Sequence, residues 1–538
     1  MRTVAGTLTK MATQPNREPT TGLLNRMLLR KTVEQVQRET ERSPLKRTLG
    51  AWNLVFLGIG CIIGAGIFVR TGSAASLHAG PAVLISFLIA GAVCALAGLC
   101  YAELSSTLPV SGSAYTYSYT TIGEFAAWVM GALLLLEYGL AASVVAVGWA
   151  GYVVSLLKDF GIVLPVVLTG PSGHTVMQTV GDQMVPVLVN GAPLTYLFNL
   201  PAFLICAAMT ILLVIGVSES AKVNNVIVAI KLTVILAFIL ICGGYVIAHI
   251  DTLKSNWDPF IPGATGEEGK FGWGGILRAA SIVFFAYIGF EAVSTAGQEA
   301  KDPKKDMPIG LLGSLFICTA IYILVSIVMT LIVNYKTLNV PDPVAVAVDA
   351  LGPQWAWFAK LVKAGAIVGL TSVVLVLMYG QTRIFYTMAR DGLLPRVFAT
   401  VHPKYKTPYV NTILVGLITA VAAAFFDINT LGDMTSVGTL AAFAIVCLSV
   451  IWLRRTHPEI PRGFKVPLFP ALPALGIVAC IALIFTVETR VLIFFGWYTL
   501  GGIVLYFLYG MHNSRLARGL DEDDGPSMGE YVAPPTHR

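Results

Sequence analysis

Two stretches of this chain, Ala51 to Val69 and Gly310 to Asn334, contain no charged residue. Each suffices for a helix of about 20 apolar residues, the length that crosses the hydrocarbon core of a bilayer. Lipid offers the backbone no hydrogen-bond partner, so such runs must be helices rather than open strands. The remainder of the chain agrees: 56% of it is hydrophobic and only 12% is charged, with a mean hydropathy of +0.75. A water-soluble domain carries roughly 25% charged residues. A single soluble globule is thereby excluded, and the lipid bilayer is the first partner the sequence implies.

Length and charge divide the chain into about twelve predicted spans: 51–70, 81–108, 124–157, 199–217, 223–249, 273–297, 308–334, 356–387, 409–426, 434–453, 469–487 and 491–510. The expected fold class is an all-α polytopic membrane protein. The formal net charge is +6, but its placement matters more than its sum. Lys and Arg crowd the N-terminal tail and alternate linkers, such as Lys301, Lys304 and Lys305, or Arg390, Arg396, Lys404 and Lys406. The other linkers hold little more than Arg70, Lys158, Lys254, Lys270, Lys336 and Arg490. This asymmetry is an orientation signal rather than a nucleic-acid footprint, and it puts both termini in the cytoplasm, as an even number of spans requires.

Residues 1–22 are expected to be disordered, with no signal peptide. Within 23–47, the stretch Leu23 to Glu41 has the apolar spacing of an amphipathic helix lying on the membrane surface. The acidic tail 511–538 reads as disordered. The linker from Lys158 to Asn199 holds Pro165, Pro171, Pro186 and Pro193 and reads as an external lid or loop. All eight cysteines lie inside apolar runs without a CxxC pair, so neither disulfides nor a metal site is expected.

Several residues contradict a plain apolar helix. The first span reads LGIGCIIGAGIF, and each interior glycine costs about 1 kcal/mol against alanine. Gly60 and Gly64 fit small-xxx-small packing. Gly64–Ala65–Gly66 fits a broken helix, whose freed amides can hold a carboxylate at mid-membrane. The sixth span carries Gly289 beside Phe284, Phe285, Tyr287 and Phe290. A second glycine-interrupted span five helices after the first is the mark of an inverted repeat, with spans one to five and six to ten as its halves.

Lys231 lies inside the fifth span, where a lysine costs on the order of 3 kcal/mol. It either snorkels to the surface or is a titratable group that exchanges a proton. Glu137, inside the third span, binds an ammonium group, carries a proton, or ties two helices together. Thr371 and Ser372 in the eighth span are hydroxyls that commonly back-bond in membrane helices. Glu103 and Glu291 read as polar ties between helices, and Glu299 lies near the cytoplasmic boundary.

Three runs carry a resemblance: LKRTLGAWNLVFLGIGCIIGAGIFVRTG from Leu45, FFAYIGFEAVSTAGQEAKDPKKDMPIG from Phe284 and YTMARDGLLPRVFATVHPKYKTPYVNT from Tyr386. The chain resembles the cationic amino acid transporter branch of the amino acid–polyamine–organocation superfamily, from about Leu24 to Tyr509. The resemblance implies the leucine-transporter fold of five plus five inverted helices with two more. The corresponding divisions are 48–249, 250–455 and 456–510. It implies that Ile62, Gly64, Ala65 and Gly66 form the segment that binds a substrate carboxylate. Phe285, Ala286 and Ile288 would receive the ammonium on their carbonyls, with Glu137 beside the substrate. Lys231 would stand where sodium-coupled relatives hold an ion, flanked by Thr371 and Ser372. Ala65 departs from the threonine often found there.

Residues and resemblance together describe proton-coupled uptake of an L-amino acid through the inner membrane, without a cofactor. The apolar stretch Val376 to Tyr379 suggests a small neutral cargo such as alanine, while the branch suggests a cationic one. An ion-independent amino acid or polyamine exchanger is the alternative. A sensor or membrane enzyme has little support: the chain carries no HExxH motif and no appended catalytic domain. Oligomeric state is not legible.

Overall fold

The computed structural model describes residues 26–32, 47–110, 113–180, 183–189, 191–216 and 221–519. The predicted disordered segment 1–22 and residues 520–538 of the predicted disordered tail lie outside the described residues, as does most of the predicted surface helix. Eight helices are long and apolar enough to cross a membrane, and four shorter apolar helices accompany them among the described residues. Together they reproduce the twelve predicted spans.

In chain order the first span is α1 (Ala51–Ile62) and α2 (66–79), and the second is α3 (Val83–Thr107). A short helix α4 (Ser113–Thr121) leads into the third span, α5 (Glu124–Asp159). The predicted external loop holds two small hairpins, β1 (Met177–Val180) with β2 (Gln183–Pro186), and β3 (Leu188–Val189) with β4 (Ala192–Pro193). Spans four and five are α6 (Leu200–Ile215) and α7 (Ala221–Ala248); span six is α8 (Gly272–Phe284) followed by a 3₁₀ helix, α9 (Phe290–Gln298). Span seven is α10 (Pro303–Ile332), and α11 (Pro343–Asp349) lies between it and span eight, α12 (Ala356–Arg390). Spans nine to twelve are α13 (Tyr409–Phe425), α14 (Ile428–Thr456), α15 (Ala471–Ile484) and α16 (Thr489–Leu505).

Spans one and six sit at the centre. Span seven packs against α1 and α3, and span eight packs against spans three and five. Small residues permit the close approaches: Gly58 of α1 lies on Ser314 of α10, and Gly60 lies on Val228 of α7. Packing without a hydrophobic driving force between helices depends on such contacts.

The structure lengthens two predicted spans for one reason. Span one continues to residue 79 rather than stopping at Arg70, and span ten begins at Ile428 rather than 434. The charges that marked those limits neutralise one another inside the protein. Arg70 of α2 bonds Asp433 of α14 at 2.8 Å and Asn429 at 2.7 Å. Arg278 of α8 ion-pairs with the other oxygen of Asp433. All three charged groups are buried, so α2 and α8 of the two central spans are both tied to span ten. Removing one partner from a buried pair strands a charge in low dielectric. Asp433→Asn is therefore expected to destabilise the protein by about 3–5 kcal/mol, read as a lower unfolding midpoint in detergent.

The face of the bundle that carries the basic linkers, here the basic face, departs from expectation. Residues 26–32 do not continue as a surface helix; after a turn at Arg26–Leu28 they bind the protein directly. The Leu29 carbonyl accepts the Glu124 amide at 2.8 Å, and Lys31 Nζ lies 2.9 Å from Asp391. Tyr115 of α4 donates to the other oxygen of Asp391 at 2.7 Å. Residues 511–519 of the predicted disordered tail are also ordered, with Arg515 N donating to the Asp391 carbonyl at 3.1 Å. Of the apolar residues in 26–32, Met27 packs on the apolar core of the protein rather than on lipid, while Leu28 stays 40% exposed.

Candidate functional site

The helix α1 ends at Ile62 because Ile63 turns to φ −73°, ψ 100°, an extended conformation. The chain re-enters a helix at Gly66, with Ala65 at the N-cap making no side-chain capping bond. The Phe68 amide donates to Gly64 O at 3.4 Å; the amides before it open the first turn of α2, at the positive end of a helix dipole. The carbonyls at the negative end of α1 are engaged. Lys231 Nζ donates to Gly60 O at 3.0 Å and to Ile63 O at 3.3 Å. Tyr322 of span seven lies with its hydroxyl 2.9 Å from Ile62 O.

Span six breaks at the same depth. A 3₁₀ turn over Phe285–Tyr287 leads to Ile288 at φ −57°, ψ 131°, and then to Gly289 at φ +112°. A positive φ of that size is open to glycine and costly for other residues. The two breaks touch. A β-carbon on Gly289 would lie 2.8 Å from Cys61 O, and one on Gly66 would overlap the Ala286 backbone.

Tyr322 joins them chemically: its hydroxyl also lies 2.9 Å from Ala286 O. One proton serves two carbonyls, each closing the first half of a broken span. Nothing in the sequence reading singled out Tyr322. The signal was a tyrosine amid apolar residues, whose polar tip needs a partner when buried. Tyr322→Phe leaves both carbonyls without this donor. It is expected to cost about 1 kcal/mol, seen as a lower unfolding midpoint and a several-fold weaker apparent substrate affinity.

The structure brings most of the predicted residues together, but not all as expected. Ile62, Gly64, Ala65 and Gly66 form the first break, and Phe285, Ala286 and Ile288 the second. The Phe285 carbonyl already accepts the Ile288 amide at 3.2 Å. Lys231 is 2% exposed and points to the end of α1 rather than to the membrane surface. Its stem crosses Gly369 of span eight, where a β-carbon would lie 2.9 Å from Lys231 Cγ.

Thr371 and Ser372 direct their bonds elsewhere. Thr371 Oγ1 accepts from Trp149 Nε1 at 2.9 Å and donates to Ile367 O at 2.8 Å. Ser372 Oγ donates to Gly369 O at 3.0 Å. Thr371 therefore joins spans three and eight, and Ser372 back-bonds to Gly369, the residue that the lysine stem crosses.

Glu137 occupies a π-helical turn, Leu135–Leu140, of span three. It is buried and faces Glu291, and neither of its oxygens meets a donor among the described residues. Glu291 was expected to be a helix tie. It is one, accepting Tyr138 Oη of span three at 3.3 Å, and it also caps α9 by accepting the Gly289 amide at 2.9 Å. The positive end of α9 is thus occupied by its own carboxylate, whereas that of α2 is not capped by its own N-cap side chain.

The apolar stretch Val376 to Tyr379 divides between two sides: Val376 is 36% and Tyr379 41% exposed, whereas Leu377 and Met378 are buried. Helical spacing puts Gly369, Val373, Leu377 and Gly380 inward instead. Val373 Cγ1 would lie 3.4 Å from a β-carbon on Gly64, and Gly380 packs on Tyr138.

A family model described as "Amino acid permease" matches residues 49–508. The chain is 42% identical over 493 residues to the methylthioribose transporter of Bacillus subtilis, covering 92% of this chain and 100% of that protein. It is 44% identical over 473 residues to the branched-chain amino acid permease BcaP of the same organism, covering 88% and 95%. It is 37% identical over 441 residues to the vacuolar cationic amino acid transporter 4 of Arabidopsis thaliana, covering 81% and 68%.

Proposed function

The chain belongs to the amino acid permease family, and from that premise we propose that it takes up neutral L-amino acids by proton-coupled alternating access. The observation that carries this reading is the meeting of two helix breaks with opposite chemical character. Uncapped amides of α2 suit a carboxylate, and the Ala286 and Ile288 carbonyls suit an ammonium group. Ile62, Ile63, Ile288 and Val373 surround them with apolar surface, which fits an aliphatic side chain better than a cationic one. The similarity to a branched-chain permease points the same way.

In this reading the halves 48–249 and 250–455 form the inverted repeat, with 456–510 outside it. The basic face and both termini lie in the cytoplasm of the inner membrane. Protonated Lys231 holds span five to the end of α1, in place of an ion. Loss of its proton loosens α1 and lets the bundle open inward. Thr371 and Ser372 keep span eight in register with span three and with the lysine stem. Glu137, sharing one proton with Glu291 so that the two buried carboxyls attract rather than repel, steadies the second half of span six beside the substrate.

The test is tracer uptake into proteoliposomes, with leucine, alanine and lysine each presented with and without an inward proton gradient. Accumulation of leucine only under the gradient is the expected result. Uptake only when the lumen holds counter-substrate would establish exchange instead. The similarity to a methylthioribose transporter favours a second cargo, a small neutral solute without a carboxylate. Methylthioribose as competitor decides between them.

A further inference from the structure

The loop between spans three and four lies on the side of the bundle away from the basic face. It is almost free of charge: of residues 160–199 only Asp182 carries one, with His174 neutral. Part of the loop builds its own small core around Val176, which is buried. The Val176 amide donates to Leu194 O at 2.7 Å, and its carbonyl accepts the Val187 amide at 2.9 Å. The segment that leaves span three does not join this core. Phe160, Ile162, Val163 and Val166 are between 44% and 74% exposed. Leu197 is exposed beside them, because its amide donates to Val167 O at 2.7 Å.

The flanks fix the level of this patch. On one side Lys360 Nζ of span eight lies 5.2 Å from the centre of the Phe160 ring, and Trp357, three residues before it, is exposed. On the other side the Asn199 amide donates to Ala424 O at 2.8 Å. Phe198 there stacks on Phe425, with ring centroids 6.1 Å apart, and Phe425 and Phe426 end span nine exposed. Lysine and aromatic residues at the ends of spans mark the membrane–water boundary.

We infer that Phe160, Ile162, Val163, Val166 and Leu197 form an apolar keel that enters the boundary between lipid headgroups and acyl chains, so that phospholipid is the partner of this surface. Exposed apolar patches mark contacts with membrane or with protein, and two observations choose lipid. The patch is continuous with the interfacial residues of spans eight and nine, which flank it at the same level. Its edge is also aromatic and aliphatic, whereas a protein–protein contact has a polar rim that supplies directed hydrogen bonds. An element lying in the interface buries its apolar side about 5–10 Å deep, a depth that side chains at the foot of the loop can reach without drawing the hairpins out of water.

Which leaflet the keel enters follows from the orientation proposed above; that it enters one does not. The test therefore needs neither transport nor orientation. Val163→Cys and Val166→Cys, each labelled with bimane in the full chain, are reconstituted into phosphatidylcholine vesicles at less than one copy per vesicle, with the unsubstituted chain as labelling background. Ser172→Cys, at an exposed turn of the same loop, is the aqueous reference. A nitroxide carried near the ester end of the acyl chain should quench both keel positions several-fold more strongly than Ser172→Cys. Aqueous iodide should quench them several-fold less. Iodide quenching equal to that of Ser172→Cys would put the patch in water and overturn the keel. Protection from both quenchers would mean that protein covers the patch, and it would overturn phospholipid as the partner.

Discussion

Gly66→Ala is expected to abolish transport, with a loss of about 100-fold or more, the size of effect that a misplacement near 1 Å produces. The added β-carbon meets the Cα, Cβ and N of Ala286 across the junction of the two breaks. Backbone atoms cannot rotate away as a side chain does, so one break must move off the other. The amides of α2 and the carbonyls of span six would then no longer face one small molecule. Two companions sharpen the expectation. Gly64→Ala meets nothing nearer than the Val373 side chain, at 3.4 Å, and should remain active. The pair Gly66→Ala with Ala286→Gly should stay inactive, because the Ala286 Cα is the nearest atom and remains. Initial rates in proteoliposomes, beside a monodisperse elution profile, measure all three. Wild-type rates in Gly66→Ala would mean that the breaks do not form the transport site.

Lys231→Met is expected to abolish accumulation while leaving exchange. A gradient of one pH unit is worth about 1.4 kcal/mol, or roughly tenfold accumulation for one coupled proton. The parent should approach that ratio and Lys231→Met should settle near equality. Counterflow, which needs no net proton movement, should persist within a few-fold. Methionine keeps the length that fills the space against Gly369 but donates nothing to Gly60 O and Ile63 O. Those carbonyls lose charge-assisted bonds worth about 1.5–3 kcal/mol each, offset by relief of a buried charge. Uphill transport at the parental ratio would remove Lys231 from the coupling scheme.

The sequence revealed the spans, the two breaks and the lysine because each violates a simple expectation of lipid-buried helices. Charge-free length predicts a span, glycine at mid-depth predicts an interruption, and a lone cation predicts a partner. It failed where a signal had two physical sources. Arg70 and Asp433 looked like span limits because charge marks a membrane boundary unless a distant partner cancels it. Met27 looked lipid-facing because an apolar residue covers protein and lipid alike. Val376 and Tyr379 looked pocket-facing because composition does not tell which side of a helix turns inward. The bridging of Ile62 and Ala286 by Tyr322 needs three separate spans at once, so no local pattern announces it.

The pairing of Arg70 with Asp433 joins residues 363 positions apart. At about 5–20 residues per second of synthesis, roughly 20–70 s separate the two. Through that interval the first arginine enters the bilayer region with no carboxylate to meet it, at a cost of up to about 3 kcal/mol. Arg278 waits likewise, over the later 155 residues. Biogenesis of this chain is therefore ordered from its far end: the start of the nascent chain cannot settle until the tenth helix leaves the ribosome and brings the single aspartate that both arginines share.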